Sequence, residues 1–285
     1  MPQKIKAVFS DLDGTLYNAQ HTVSQRTFKA VKALQDKGIP FIMATGRPFP
    51  DVFANLETTG LKPDFIITSN GSRVHDAMHD HVFGCDVNPE SVERFFQLSM
   101  HLTDDGVVDA SAPARSIQLN LNYEDRWLTN QCTDEVRAMY HPSLNYEQVD
   151  PTTFSAATLS GTHSMYAWGK HEDLLCVKKY IERELPDVTC AFPLPHILDC
   201  FPAGNHKAVA VQKVCDELGI DMKETIAFGD GMNDVQMLHG VGQGYVMDNA
   251  APMVKEAMEG LPVIGTNNDD AVAVKLEELL AKGAF

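Results

Sequence analysis

Short apolar runs alternate with segments of helical periodicity in the first part of the chain. Ile5–Phe9, Ile39–Ala44 and Phe65–Thr68 have the length of strands, and apolar residues between Phe28 and Leu34 recur at helical intervals. Strands that alternate with helices in this way form parallel sheets with crossover helices. The pattern therefore predicts a βαβαβ unit at this end of the chain.

Capping and turn residues predict the helix boundaries in this unit. Thr22 and Gln25 have the spacing of a capping box, and Gly38 lies where helices commonly end in a left-handed residue. A second helix is expected around residues 51–59. Ser69–Gly71 is a run of turn residues directly after the third strand.

The same alternation of strands and helices returns near the carboxyl end. The predicted elements are a helix Asn205–Leu218, a strand Thr225–Phe228, a short helix after Gly231, a strand Gly244–Met247, a helix after Pro252 and a last helix Asp270–Lys282. We predict an α/β fold in which both ends of the chain join in one doubly wound, mostly parallel, Rossmann-like sheet.

The middle of the chain has a different pattern, which predicts an inserted second α/β domain. Its predicted elements are helices Pro89–Leu102 and His171–Leu185 and strands Ser116–Leu121, His163–Trp168, Val188–Phe192 and Ile197–Phe201. We therefore expect a core domain of residues 1–85 and 193–285 and an inserted domain of residues 86–192.

Composition and charge narrow the class of protein. The 285 residues are 44% apolar and 22% charged, which are values of a folded chain long enough for one large or two modest domains. The 23 basic and 39 acidic residues give a net charge of −16, which repels phosphate backbones and anionic lipid. We therefore expect neither a nucleic acid polymer nor a membrane as a partner.

The remaining composition is typical of a cytoplasmic protein, and the sequence leaves open whether it is a monomer or a small homo-oligomer. The six cysteines are scattered without a C-x-x-C pair, so we expect reduced thiols. The apolar runs are much shorter than the roughly 20 residues of a spanning helix. Asp11 and Asp13 follow the first run directly, which is unlike a secretory signal.

Candidate chemistry begins at Asp11–Thr15, directly after the first predicted strand. Open parallel sheets bind ligands beyond the carboxyl ends of their strands. Residues two apart in an extended segment point the same way, so Asp11 and Asp13 can address one substrate or metal, and Gly14 permits a sharp turn. One carboxylate of such a pair can act as a nucleophile while the other exchanges protons.

Two other interpretations of this segment need weighing. A calcium loop would require Gly at the sixth position and Glu at the twelfth, where this chain has Leu16 and Thr22. A purely structural turn stays open, because Asp and Gly are ordinary turn residues.

Further polar groups follow other predicted elements of the same sheet. Thr45 and Gly46 offer a hydroxyl and backbone N–H groups to an anion, and Arg47 offers a guanidinium. Lys207 brings a positive charge to the start of a helix that we expect Asn205 to cap.

The segment Gly229–Asp234 ends the strand Thr225–Phe228 and adds the carboxylates of Asp230 and Asp234 and the amide of Asn233. These ends of strands and helices converge on one crevice.

Together these motifs resemble those of the haloacid dehalogenase (HAD) superfamily, and within it the Cof-type subfamily with a large α/β cap inserted between the second and third motifs. The resemblance covers the whole chain. The matching elements, in the order of the family, are Asp11–Thr15, Ala44–Arg47, Ser69–Gly71, Lys207 and Gly229–Asp234.

The resemblance implies roles for these residues. Asp11 would attack phosphorus to form an aspartyl-phosphate, and Asp13 would protonate the leaving alcohol and then activate water. Thr45 and Lys207 would hold the phosphoryl oxygens, and we group Gly46, Arg47 and Asn233 with them as substrate-binding residues. A Mg²⁺ would lie among an Asp11 carboxylate oxygen, the Asp13 backbone carbonyl, Asp230 and waters, with Asp234 as a direct or water-mediated ligand.

The resemblance implies a Mg²⁺-dependent phosphatase that acts on a small phosphate ester, with sugar phosphates favoured. A phosphomutase with the same intermediate and a catalytically silent binding protein remain alternatives. Polar cap residues such as Asn120, Asn122 and His163 could meet a sugar or ring, whereas Tyr166 and Trp168 could equally pack the core of the cap. A metal cluster of His75, His79 and His81 is disfavoured, because spacing alone rarely makes a metal site.

Overall fold

The computed structural model describes residues 4–155 and 160–285. The described residues form two compact units. The first contains the chain up to Arg47, Leu56–Phe83 and His206–Phe285, and the second contains Pro48–Asn55 and Gly84–Asn205.

The first unit is built on a sheet of seven strands, which are β1 Ala7–Ser10, β2 Phe41–Ala44, β3 Phe65–Thr68, β4 Arg73–Asp76, β5 His81–Gly84, β12 Thr225–Gly229 and β13 Gln243–Val246. Their order in the sheet is β13-β12-β1-β2-β3-β4-β5. The five strands from β13 to β3 pair in parallel, and β4 pairs with β3 in the antiparallel direction. The predicted doubly wound, mostly parallel sheet is confirmed.

Helices follow these strands along the chain. They are α1 Gln25–Gln35, α2 Phe49–Thr59, α6 Lys207–Leu218, α7 Val235–Gly240, α8 Pro252–Ala257 and α9 Ala271–Ala281, with single 3-10 turns at Ser69–Gly71, Met222–Glu224, Met232–Asp234 and Asn267–Asp269. The apolar sides of α6, α7 and α8 pack on the sheet in one cluster with Phe9, Ile42 and Ala227.

The register of the central strands determines where the site forms. Ser10 of β1 lies opposite Phe228 of β12 and Met43 of β2. The three strands therefore end at the same edge of the sheet, and the polar residues that follow them emerge side by side.

The second unit contains a sheet of six strands, which are β6 Ile117–Tyr123, β7 Arg126–Thr129, β8 Tyr146–Gln148, β9 Thr162–Gly169, β10 Val188–Leu194 and β11 Ile197–Pro202. Their order in the sheet is β10-β11-β9-β6-β7-β8. The further helices of this unit are α3 Pro89–Phe96, α4 Asp134–Arg137 and α5 His171–Glu184. Neighbouring strands are antiparallel except β7 and β8. This unit is the inserted α/β domain.

The limits of the inserted unit differ from the sequence-based boundary at residues 86–192. Residue 192 lies inside β10, which pairs with β11, so the unit continues through β11 to Asn205. The segment Pro48–Asn55 also belongs to this unit. The pattern of strands and helices along the sequence does not indicate this.

Three of the differences at helix ends concern a predicted cap or the length of the helix. Ser24, not Thr22, caps α1 by accepting a hydrogen bond from Thr27 N, because Thr22 is bonded to the side chain of Asn18. Asn205 does not cap α6, whose first residue is Lys207 and whose capping position is His206.

The third difference is α3, which ends at Phe96 instead of Leu102. The Ser99 hydroxyl accepts a hydrogen bond from His101 N, a local bond that competes with continued helix, and His101 and Leu102 then make isolated β-bridges.

Candidate active site

The site forms where β1 ends. Asp11 N donates to Phe228 O of β12 at 3.0 Å, so the neighbouring strand positions the backbone of Asp11. The Asp11 side chain is nearly buried, and its Oδ1 lies 2.6 Å from Lys207 Nζ. Burial raises the pKa of Asp11 well above its ordinary value, against the opposing effect of the Lys207 charge, and the carboxylates of Asp234 and Asp230 raise it further.

Lys207 is the buried cation of the site. It is the first residue of α6, its side chain is fully buried, and Nζ also donates to Asp234 Oδ1 at 2.7 Å. Burial alone would lower the pKa of Lys207, but the carboxylates of Asp11 and Asp234 outweigh it and raise that pKa. Lys207 is therefore a permanent positive charge beside Asp11.

Asp13 faces a different partner. Arg47 Nε donates to Asp13 Oδ2 at 2.6 Å and Arg47 Nη2 donates to Asp13 Oδ1 at 2.8 Å, so the two side chains form a bidentate ion pair. His21 Nδ1 lies 3.2 Å from the same Oδ1. Burial would raise the pKa of Asp13, but the hydrogen bonds and charge of Arg47, with His21, lower it overall. Asp13 is thus held in its ionised form.

Three acidic residues within the described part of the chain could hold a metal ion. One oxygen from each of Asp11, Asp230 and Asp234 lies within 4.8 Å of the others. The Asp13 carboxylate is not part of this group. Hard oxygen donors of this kind suit Mg²⁺.

The Asp230 side chain is oriented by its neighbours. Thr15 Oγ1 donates to Asp230 Oδ1 at 2.8 Å. Burial raises the pKa of Asp230 to about 6, and the Asp234 charge adds to this effect while the Thr15 hydrogen bond opposes it. A bound cation would favour its ionised form.

Asp234 is held from three sides. It is fully buried, its Oδ1 accepts from Lys207, and its Oδ2 accepts from Asp230 N at 3.1 Å and Gly231 N at 2.9 Å. Because protein donors already contact both oxygens, Asp234 fits a water-mediated role at a metal better than a direct one.

Thr45 and Asn233 reach the same region from two further loops. Thr45 is buried, and its hydroxyl accepts from Arg47 N at 3.2 Å, which tightens the turn containing Gly46. Asn233 Nδ2 donates to Asn70 Oδ1 at 2.9 Å. The structure thus brings all the predicted site residues together in the first unit.

Some residues of this region were missed by the sequence interpretation. Thr15 orients Asp230, and Asn249 Nδ2 donates to Gly14 O at 2.7 Å. Thr15 lies in the first motif and could have been assigned from its position. Asn249 is distant in sequence from the motifs it supports, so periodicity offers no signal for it.

Gly14 has no room for a side chain. Its φ is +76°, and a Cβ on it would lie 2.3 Å from Asp230 Oδ2. We therefore expect Gly14→Ala to cost about 1–2 kcal/mol in backbone conformation and also to displace the Asp230 carboxylate. Thermal unfolding measures the first effect and the Mg²⁺ concentration for half-maximal activity measures the second. Gly38→Ala is the matched control, because Gly38 also has positive φ but meets no atom within 4 Å.

Several polar residues of the second unit serve its own interior. Asn120 Oδ1 accepts from Trp127 Nε1, Asn122 Nδ2 donates to Ser164, and buried His163 contacts Glu124 O. Tyr166 packs with Trp127 in a cluster that Trp168 flanks. The core-packing alternative is therefore the one observed for Tyr166.

His75 and His81 lie with ring centroids 5.6 Å apart on β4 and β5. Burial, together with the nearby charges of His81 and Arg73, lowers the pKa of His75 to about 4. In the part of the chain that the structure describes, the group that could hold a metal contains aspartates and no histidine.

The six cysteines are all free thiols. No helix among residues 4–155 and 160–285 is both long and apolar enough to span a bilayer.

The sequence profile of the haloacid dehalogenase-like hydrolases matches residues 8–276. The chain belongs to this family, and its predicted membership is confirmed.

Named relatives agree with this assignment. The chain is 32% identical over 271 residues to a putative phosphatase of Haemophilus influenzae, covering 94% of each chain. It is 29% identical to an HMP-PP phosphatase of Yersinia pseudotuberculosis, covering 95% of this chain and 94% of the other.

Solved structures share the fold. A haloacid dehalogenase-like hydrolase from B. subtilis has a TM-score of 0.80 and 22% identity and covers 96% of this chain and all of its own. A sugar phosphatase of HAD subclass IIB has a TM-score of 0.77 and 22% identity, covering 98% of this chain and all of its own.

Proposed function

We propose that this chain is a Mg²⁺-dependent phosphatase that hydrolyses small phosphate monoesters, with sugar phosphates as the favoured class, through an aspartyl-phosphate. The observation that carries the proposal is the buried Asp11 carboxylate, which lies 2.6 Å from Lys207 beside Asp230 and Asp234. A carboxylate in that position can receive a phosphoryl group, because the fixed positive charge of Lys207 lies next to it.

The first step would use Asp11 as the nucleophile. A carboxylate oxygen of Asp11 attacks phosphorus, the bond from phosphorus to the ester oxygen breaks, and the leaving oxygen takes a proton from Asp13. Asp13 must be protonated for this donation, so the Arg47 ion pair has to loosen when the ester binds. Lys207 and the Thr45 hydroxyl and backbone would hold the phosphoryl oxygens.

The second step would reverse the direction of proton transfer. Asp13, now ionised again, takes a proton from water, and the water oxygen attacks phosphorus. The bond between phosphorus and Asp11 breaks, which releases inorganic phosphate and restores the carboxylate. The lowered pKa of Asp13 beside Arg47 keeps this carboxylate in the ionised form, which is the form that can take a proton from water.

Asp11, Asp230 and the Asp13 backbone carbonyl would hold Mg²⁺, with Asp234 through water. When bound, Mg²⁺ supplies neutralisation of the negative charge that accumulates as an anionic carboxylate approaches an anionic phosphate.

The names of the relatives support the class of reaction and suggest substrates. The Haemophilus relative is named a putative phosphatase and the Yersinia relative an HMP-PP phosphatase, so HMP-PP belongs in any substrate panel. A cytoplasmic location is consistent with the six free thiols.

The test is phosphate release from a panel of sugar phosphates, nucleotides, phosphorylated cofactors and HMP-PP, with Mg²⁺ and with EDTA. We expect Mg²⁺-dependent release from at least one small ester. Isomerised sugar phosphate without net phosphate release would instead identify a phosphomutase. Complete absence of turnover across the panel would contradict the proposal and favour a binding protein.

Asp230→Ala tests the metal site. We expect it to raise the Mg²⁺ concentration for half-maximal activity by about 10- to 100-fold, a range typical of perturbed metal sites. Asp248→Ala is the control, because Asp248 is exposed and paired with Lys255. An unchanged Mg²⁺ titration in Asp230→Ala would show that Asp230 is not a ligand.

A further inference from the structure

An unusual turn follows β3 on the same edge of the sheet. Ser69, Asn70 and Gly71 have φ values of 50°, 55° and 101°, which are three successive left-handed residues. This region is unfavourable for residues with a Cβ, although Asn tolerates it better than most. All three residues are buried. Such strain persists only where the surrounding contacts hold it, and it is concentrated at functional sites.

The turn contacts the phosphate-binding turn that contains Gly46. Ser69 N donates to Arg47 O at 2.9 Å, and Asn70 N donates to Thr45 O at 3.0 Å. The left-handed conformation therefore aims two consecutive N–H groups at the carbonyls on either side of Gly46.

The Asn70 side chain reaches a second loop. Its Oδ1 accepts from Asn233 Nδ2 at 2.9 Å, across 163 residues of sequence. A Cβ on Gly46 would lie 3.2 Å from the same Oδ1, so Gly46 lets the Asn70 amide approach closely. One carboxamide thus touches both loops.

The third residue of the turn meets the start of α6. A Cβ on Gly71 would lie 2.7 Å from the backbone oxygen of His206, the residue before Lys207. The Ser69–Gly71 turn therefore contacts three of the segments that carry the site.

We propose that Asn70 is a positioning residue that holds the Asn233 carboxamide against the Thr45–Arg47 turn, so that both present their phosphate-binding groups together. This inference rests on the proposed phosphatase function. Asp234 is held separately by Lys207 and by the N–H groups of Asp230 and Gly231. Loss of the Asn70 side chain therefore weakens phosphate binding and leaves Mg²⁺ binding in place.

Asn70→Gly removes the side chain but keeps the backbone conformation, because glycine adopts positive φ without strain. We expect this variant to raise the inhibition constant of inorganic phosphate about tenfold, as for a lost buried hydrogen bond. The Mg²⁺ concentration for half-maximal activity and the unfolding temperature should stay near wild type. Asn70→Ala should lose phosphate affinity equally and unfold at a lower temperature as well, because alanine has a Cβ but tolerates positive φ less well than asparagine does.

A double-mutant cycle tests whether Asn70 affects phosphate binding by positioning Asn233. Asn233→Ala should weaken phosphate inhibition, and Asn70→Gly added to it should have little further effect. Asn130→Gly is the control. It removes an asparagine Oδ1 that accepts from Leu119 N in the second unit and should leave phosphate inhibition unchanged.

Hydrogen–deuterium exchange gives a readout that does not depend on turnover. In Asn70→Gly, peptides that contain residues 231–234 should exchange faster than in the wild type, while those of α9 should not change. Unchanged exchange together with unchanged phosphate inhibition, or additive effects in the cycle, would overturn the positioning role. If the wild type releases no phosphate from any ester, the proposed function fails, and the exchange comparison still decides the role of Asn70.

Discussion

Asp11→Asn is expected to lower kcat for phosphate ester hydrolysis by roughly 10³-fold or more, the scale of losing a catalytic nucleophile. The amide has the shape of the carboxylate but cannot attack phosphorus. It also keeps an oxygen that can accept from Lys207, so the fold should be retained. Steady-state kinetics with Mg²⁺ measures the loss, and circular dichroism and thermal unfolding check the structure.

Asp36→Asn is the matched control for this experiment. Asp36 lies in the same unit, is exposed and pairs with Lys32 on the surface, so its variant should keep wild-type activity. Substantial turnover in purified Asp11→Asn protein would refute the nucleophilic role.

Lys207→Met is expected to lower the free energy of unfolding by about 3–5 kcal/mol, the usual cost of breaking a buried ion pair by removing one partner. The substitution leaves the carboxylates of Asp11 and Asp234 buried without the ammonium that contacts both. Urea unfolding in EDTA measures the effect without a metal that could replace the lost charge. Lys213→Met, an exposed position on the same helix, should change stability by no more than about 0.5 kcal/mol.

The stability of Lys207→Met should also depend on pH in a definite direction. Burial already raises the pKa of Asp11, and loss of Lys207 raises it further. The folded state then binds a proton that the unfolded state, with a carboxyl pKa of about 3.9, has released. Stability must therefore rise as the pH falls from 7 towards 5. A variant that is equally stable at both values would contradict the proposed charge balance.

The five parallel strands of the first unit were predictable because they are mostly buried, whereas β4 and the exposed β5 were not predicted as strands. β3 was predicted at its observed limits, Phe65–Thr68, and β1, β2 and β12 within two residues. Continuous apolar runs bounded by turn residues leave little freedom in such strands. The ends of α1 and α3 were harder, because the neighbouring polar side chains Asn18 and Ser99 form local bonds that compete with capping and helix.

The proximity of the predicted site residues could be predicted from the sequence, but the hydrogen-bond partner of each residue could not. Parallel strands bring their ends to one edge, so Asp11, Thr45 and Asp230 had to meet once the strands were assigned. The choice of Arg47 as the partner of Asp13, and of Asn70 as the partner of Asn233, depends on side-chain directions in irregular loops. Hydrophobic periodicity carries no information about these directions.

The ion pair between Asp11 and Lys207 joins residues 196 positions apart, and β1 pairs with β12 across the whole inserted unit. Chains dominated by such distant contacts fold slowly, since loop closure must precede any stabilising contact. During synthesis from the amino end, Asp11 emerges long before its cation and its flanking strand. The inserted unit can complete its own sheet while the nascent chain is still catalytically inert, and the reactive centre is therefore among the last parts of the molecule to assemble.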